Sequence, residues 1–242
     1  MYLGGTRDYE LGQIDVFDHR GVARVHFKYT GGRLVMTIPY DVEISHVRGI
    51  IERNRPALKK ILETASFKAR IYYNRREIRC LCGKIIIMQH DSPRNAILYG
   101  PLGHSHSTWR VSVPYRRSLH DIETAYTISK CIKVCAKRMA DSHLVPFALK
   151  VARKADLWPS DITISTGLRK LGQCSSQGEI RLSYMLMLYP EELVEYVVYH
   201  ELAHLKQMDH GPRFHAICDR LCGGREAELY QRLCDYRPPV LQ

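Results

Sequence analysis

The chain has 242 residues, 45% hydrophobic and 25% charged, with a formal net charge of +11. This is ordinary globular composition, long enough for one large domain or two small ones with a proper core. No run of about 18 apolar residues exists, which argues against a transmembrane helix. Residues 1–13 show no basic start followed by an apolar stretch, so a cytoplasmic protein without a secretory signal is expected.

Eight cysteines need not imply disulfides, because a chain this long does not need staples. Cys131/Cys135 and Cys218/Cys222 are four apart, and Cys80 and Cys82 alternate along a strand, all readable as small buried hydrophobes. Charge is uneven. Between Arg53 and Arg94 eleven Lys or Arg stand against three acids, while Pro190 to Tyr236 holds five basic and nine acidic residues. The basic region 53–94 could hold nucleotide or nucleic acid, or be a plain solvated face.

Taken in order, Val22 to Pro39 reads as a hairpin. Val25, Phe27 and Tyr29 alternate with polar neighbours, Thr30-Gly31-Gly32 supplies the turn, and Leu34, Met36 and Ile38 alternate again. From Val42 the spacing turns helical, and Pro56 is expected to open a second short helix with Leu58, Ile61 and Leu62. Ala69 to Pro114 returns to strand character, which predicts a meander or a small bent sheet. His104 and His106 alternate in a polar loop that lacks the acid a second metal site would want. A boundary near Tyr115-Arg116-Arg117 divides a strand-rich part, 1–117, from a helical part, 118–242. One continuous domain from about residue 22 is the other division.

Ser118 is placed as the cap of a long helix with Asp121 in its first turn. Pro146 is expected to start another, ending before Trp158-Pro159, and Ile162 and Ile164 make a short strand. Gly172 to Gly178 reads as a small-residue turn feeding an alternating strand, Gly178, Glu179, Ile180, Arg181, Leu182 and Ser183. Pro190 opens a helix buried through Leu193, Val194, Val197, Val198, Leu202 and Leu205. Tyr196, His200 and His204 fall on a separate edge, outside the apolar side. Asp209-His210-Gly211 ends that helix. Pro212 begins the next, closed by Gly223-Gly224, and a last amphipathic helix covers Arg225 to Tyr236. No internal repeat is visible.

The chemistry concentrates at His200, Glu201, His204 and His210. Two histidines four apart lie one above the other on a helix and can share a metal ion, with Glu201 beside them to handle a water. His210 stands where the chain reverses and can fold back toward them. Three imidazoles leave one tetrahedral position open, the layout of a catalytic zinc rather than a structural one. Glu201 would act as general base.

The run from Gly172 to Asp219 closely resembles the YgjP-like metallopeptidase domain family, related to WLM and SprT-like zinc proteases of gluzincin-like type. The likeness rests on Gly172-x-Cys174-Ser175, Gly178-x-Ile180-x-Leu182, Pro190, Tyr196-Val197-Val198-x-His200-Glu201-Leu202-x-His204-Leu205 and His210-Gly211-Pro212-x-Phe214. It extends less closely upstream to Leu81-Cys82-Gly83-Lys84 and the Val25–Pro39 hairpin. The resemblance implies an α+β fold, a twisted strand-rich first part followed by a helical zincin-like part with a short sheet. It also implies one Zn2+ on His200, His204 and His210, with a peptide or protein substrate. The strand Gly178–Ser183 would offer an open edge to that peptide. Leu171, Gln173, Ser183 and His215 depart from the family pattern, and His215 could assist the transition state or support the site from behind. Two alternatives remain: hydrolysis of a nucleotide phosphoanhydride (a pyrophosphatase), and a DNA-associated SprT-like binding module.

Overall fold

A computed structural model describes residues 1–30, 33–69, 76–91, 95–103, 105–119, 121–167 and 170–240. Strands β1 (Tyr2–Asp8), β2 (Gly12–His19), β3 (His26–Thr30) and β4 (Arg33–Pro39) precede helix α1 (Val47–Ala69). Alternate residues of β2 and β4 are buried, Ile14 and Val16 with Leu34, Met36 and Ile38, because a strand turns successive side chains to opposite faces. That face packs on Val47, Ile50, Ile51 and Leu58 of α1. The β3–β4 hairpin forms as expected, with Phe27 opposite Met36. Its Gly31-Gly32 turn lies outside the described residues.

Pro56 does not start a new helix; it lies inside α1. Ile50 and Ile51 before it and Leu58 after it join the same core. Their burial, about 1.5–3 kcal/mol for each large side chain, offsets the one hydrogen bond a proline forfeits. Arg55, one residue earlier, ties α1 to β1. It donates to Asp8 at 2.8 Å, to Glu10 at 3.0 Å and to Glu52 at 2.6 Å.

A second unit follows, β5 (Glu77–Cys80), β6 (Gly83–His90), β7 (Leu98–Leu102), β8 (Ser105–Pro114) and helix α2 (Ile122–Ala155). Neither sheet is a meander. Their orders are β1-β2-β4-β3 and β5-β6-β8-β7, and each has a parallel central pair flanked by antiparallel strands. The two units therefore repeat one another, against the sequence reading. The registers agree: Ile14 faces Leu34 as Ile85 faces Trp109, and His19 faces Pro39 as His90 faces Pro114. Both inner strands follow Gly-x-Ile-x-(Val/Ile)-x-x-His, and both outgoing strands end in Pro-Tyr. Each helix opens at the same distance downstream, Val47 after Pro39 and Ile122 after Pro114. The shared identities are too few to stand out from two ordinary runs of β-branched residues.

Helix α2 is the spine. Its cap is Asp121, not Ser118; the Asp121 carboxylate accepts from the Thr124 backbone N–H at 2.9 Å and its hydroxyl at 2.8 Å. It passes through Pro146 without ending, since Leu144 before it and Ala148 and Val151 after it are buried in one core. Asp156, in the left-handed region at φ 51°, stops it.

The last part holds β9 (Asp161–Ser165), β10 (Gly172–Cys174), β11 (Glu179–Ser183), a 3₁₀ turn (Tyr184–Leu188), and helices α3 (Glu191–Ala203), α4 (Pro212–Leu221) and α5 (Glu226–Asp235). The fold class is α+β. The second sheet, α2 and these elements share one buried cluster, while β1–β4 and α1 form another. Tyr29 and Tyr126 meet between them, with ring centroids 5.6 Å apart. All eight cysteines are free, and burial pushes the Cys80 and Cys135 thiols up to about 12, as expected of inert core residues. Among the described residues no helix is long and apolar enough to cross a membrane.

The Arg55 clamp gives a test. Arg55 hydrogen-bonding, with help from the Leu11 and Glu10 backbone N–H groups, holds the Asp8 carboxyl well below the usual carboxylate range. A depressed carboxyl contributes stability above its unfolded pKa of about 4, and loses it as pH falls toward its folded value. Arg55→Met should lower Tm by about 2–4 °C at pH 7. The gap from wild type should narrow below about pH 4; a gap constant from pH 7 to pH 2.5 would contradict the clamp.

Candidate metal centre

The last turn of α3 carries His200 and Glu201, and His204 caps it, still in helical geometry with φ −63° and ψ −22°. The spacing is local, but what steadies it comes from the next turn. Asp209 accepts from the Gly211 N–H at 2.9 Å, folding His210 back before Pro212 starts α4. Ligating atoms of His200, His204 and His210 all lie within 4.8 Å of one another. The Nε2 atoms of His200 and His210 are 3.2 Å apart. Two nitrogens sharing a tetrahedral zinc at 2.0–2.1 Å would stand about 3.3 Å apart, so the donor set fits one such ion.

His204 Nδ1 lies 3.1 Å from the Gln207 carbonyl oxygen. A proton there donates to that carbonyl and leaves Nε2 free as the donor atom. Phe214, fully buried, lies under all three rings, with centroids 4.9, 4.5 and 4.8 Å from those of His200, His204 and His210. Burial, reinforced by the charges of its neighbouring histidines, lowers His200 to about 4. Burial lowers His204 as well. Neutral imidazole is the form that binds a metal.

The expectation that the histidines stand clear of the apolar side does not hold. Tyr196 and His204 are buried and His200 is half-buried; only His210 is exposed. The reason is α4, whose Phe214 covers the edge that a single helix would leave open.

Glu201 is buried too, 5% exposed, and burial raises its carboxyl to about 7, with the Lys170 charge acting the other way. A dication alongside would favour the ionised form. The carboxylate presses on β10. A Cβ at Gly172 would sit 2.3 Å from Glu201 Oε1 and 2.7 Å from its Cδ and Cγ, closer than any side chain could come.

The strand expected to receive a substrate is corrected. β11, covering Glu179, Ile180, Arg181, Leu182 and Ser183 after the turn residue Gly178, is the central strand, with β10 antiparallel on one side and β9 parallel on the other. Both its edges are already hydrogen-bonded. The outer strand beside Glu201 is β10, within the stretch read as a turn. The Ser183 N–H donates to the Leu171 carbonyl and the Ser175 N–H to that of Glu179, both at 2.8 Å. By antiparallel alternation, the backbone groups of Gly172 and Cys174 point away from β11, to an edge with no strand on it among the described residues. Gly172, Gln173 and Cys174 thus form the outer strand beside Glu201 that the sequence places in a turn, and alternation around Gln173 was the faint signal.

His215 is exposed on α4 beside Phe214, and its Nδ1 lies 2.7 Å from Glu226 Oε1 of α5. His104 lies outside the described residues, as does the His106 side chain.

The family model of the YgjP-like metallopeptidase domain matches residues 23–233. No curated protein matches. A solved structure, the metallopeptidase zymogen of Methanocaldococcus jannaschii jannalysin, is 24% identical, covering 36% of this chain and 94% of its own, with a TM-score of 0.30.

His204→Ala removes one of three nitrogen donors. In protein loaded with zinc and dialysed, elemental analysis should show bound metal falling from about one equivalent toward zero; undiminished metal would take His204 out of the site.

Proposed function

The chain belongs to the YgjP-like metallopeptidase domain family, and on that basis we propose a zinc-dependent peptidase. In it His200, His204 and His210 hold the ion and Glu201 is the general base. The observation that carries the reading is the contact between Glu201 and Gly172. It sets a buried carboxylate between the helix of imidazoles and the free edge of a strand. When bound, zinc acidifies a water and polarises a carbonyl beside it. Glu201 moves the proton: a carboxylate oxygen accepts it, and the resulting acid delivers it to the departing amine nitrogen. His215 is proposed as the donor to developing negative charge. Its Nδ1–H donates to the Glu226 carboxylate, so Nε2 has a proton to give only in the doubly protonated imidazolium form, the form that suits developing negative charge.

The substrate class follows from β10. A row of backbone donors and acceptors at Gly172 and Cys174 suits an extended peptide, which adds to a sheet edge through its own backbone. A nucleotide has no use for such an edge. This favours peptide over the phosphoanhydride and nucleic-acid alternatives.

Glu201→Gln should keep the metal and lower cleavage of casein or short peptides at least about 100-fold. Nucleoside triphosphates assayed alongside decide the class, and their hydrolysis without peptide cleavage would overturn the proposal. Gly172→Ala should leave metal content unchanged and slow peptide cleavage by about 10- to 100-fold, since displacing a catalytic group by 1 Å costs that much. A wild-type rate would mean that Glu201 yields to the methyl without consequence.

A further inference from the structure

The acids and cations of the last part of the chain are sorted in space. At the start of α3, Glu192 pairs with Arg225 and Arg232, both at 2.6 Å, and Glu195 with Lys154 at 2.8 Å. Glu228 takes the same two arginines at 2.8 and 3.1 Å. At the metal end the acids are also engaged: Asp209 with the Gly211 N–H and the Gln207 amide, Glu226 with His215. The cations there are not. Lys170, Lys206 and Arg213 are exposed, and among the described residues no carboxylate forms an ion pair with any of them.

Lys170 is the one tied to the substrate edge. It lies two residues before Gly172, whose Cα abuts Glu201. The chain bends at Leu171, whose carbonyl still accepts from the Ser183 N–H at 2.8 Å, before it enters β10 at Gly172. Lys170 therefore stands at the head of the Gly172–Cys174 edge. A peptide laid along β10 would run past it.

Resting on the peptidase reading above, we propose that Lys170 is a specificity residue that binds a carboxylate of the substrate within about two residues of the bond to be cut. The carboxylate can come from an acidic side chain or from the peptide's own C-terminus. Lys206 and Arg213 add to the same field, which attracts acidic peptides and weakens with salt. A role only in holding Glu201 ionised is the competing reading, and it makes a different prediction.

Three matched fluorogenic peptides separate these, assayed with the zinc-loaded full chain and with Lys170→Glu. One carries Asp two residues from the scissile bond and an amidated C-terminus. A second has Gln there and a free C-terminus, and a third has Lys there with an amide. Wild type should favour a carboxylate-bearing peptide over the Lys peptide by about three- to tenfold in kcat/KM at low salt. Lys170→Glu should abolish or reverse that order. Preference for the first peptide identifies a side chain as the source, and preference for the second identifies the C-terminus. Equal rates on all three in wild type would overturn the Lys170 assignment and leave the peptidase reading intact. So would a Lys170→Glu variant that slows all three alike and moves the acid limb of the pH profile. Failure of zinc-loaded wild type to cleave any peptide, these or casein, would instead remove the peptidase reading and this inference with it.

Discussion

The approach of β10 to the last turn of α3 is the constraint on which the site depends. Gly172 lies so near Glu201 that a methyl group there would force something to shift, and both backbones are held by their own packing. Leu193, Val194, Val197, Val198, Leu202 and Ala203 fix α3 in the core, and β10 is stitched to the central strand β11. Close packing makes such a contact a geometric stop rather than a soft preference. The same contact that desolvates Glu201 also brings a strand edge beside it. The position of Glu201 and its environment are thus consequences of one missing side chain.

What holds this arrangement is a long helix serving two layers. α2 covers the inner face of β5–β8 through residues such as Ile128 and Ile132, and supports α3 and the 3₁₀ turn on its other sides. It is accordingly buried on much of its circumference, and Pro146 can sit within it because packing on both sides keeps the helix in line. Its counterpart α1, in the repeated first unit, has a single sheet to cover. Its outward residues, Arg48, Glu52, Arg53 and Lys59 among them, stay exposed. One architectural unit, used twice, becomes a scaffold where its helix takes on α3 and the 3₁₀ turn, and remains a peripheral layer where its helix lies on its own sheet and against α2.

The parts legible in sequence were those set by local spacing. His200 and His204 one turn apart, and His210 before Gly211-Pro212, need only a helix and a turn to converge. The β3–β4 hairpin and the closing helices α4 and α5 carry their signals in consecutive residues. What escaped was decided by distant partners. β10 is a strand because Leu182, Arg181 and Ile180 lie beside it, not because Gly-Gln-Cys favours extension. The parallel pairs β2–β4 and β6–β8 are tertiary choices that alternation alone does not specify. Pro56 and Pro146 signal helix starts by propensity, and burial overrides them. The depth of His204 comes from Phe214, on another helix.

Counting charge along the chain misleads for the same reason. Pro190 to Tyr236 has more acids than bases, which suggests a segment unfriendly to anions. Ion pairs take up part of that acidity: Glu192 and Glu228 face Arg225 and Arg232, and Glu195 faces Lys154. Among the described residues Lys206 and Arg213, which flank His204 and His210 in the sequence, are exposed and form no ion pair. Because a field acts through positions rather than totals, the exposed Lys206 and Arg213 act at the metal end whatever the segment's overall count. β10, the outer strand of its sheet, lies there beside Glu201.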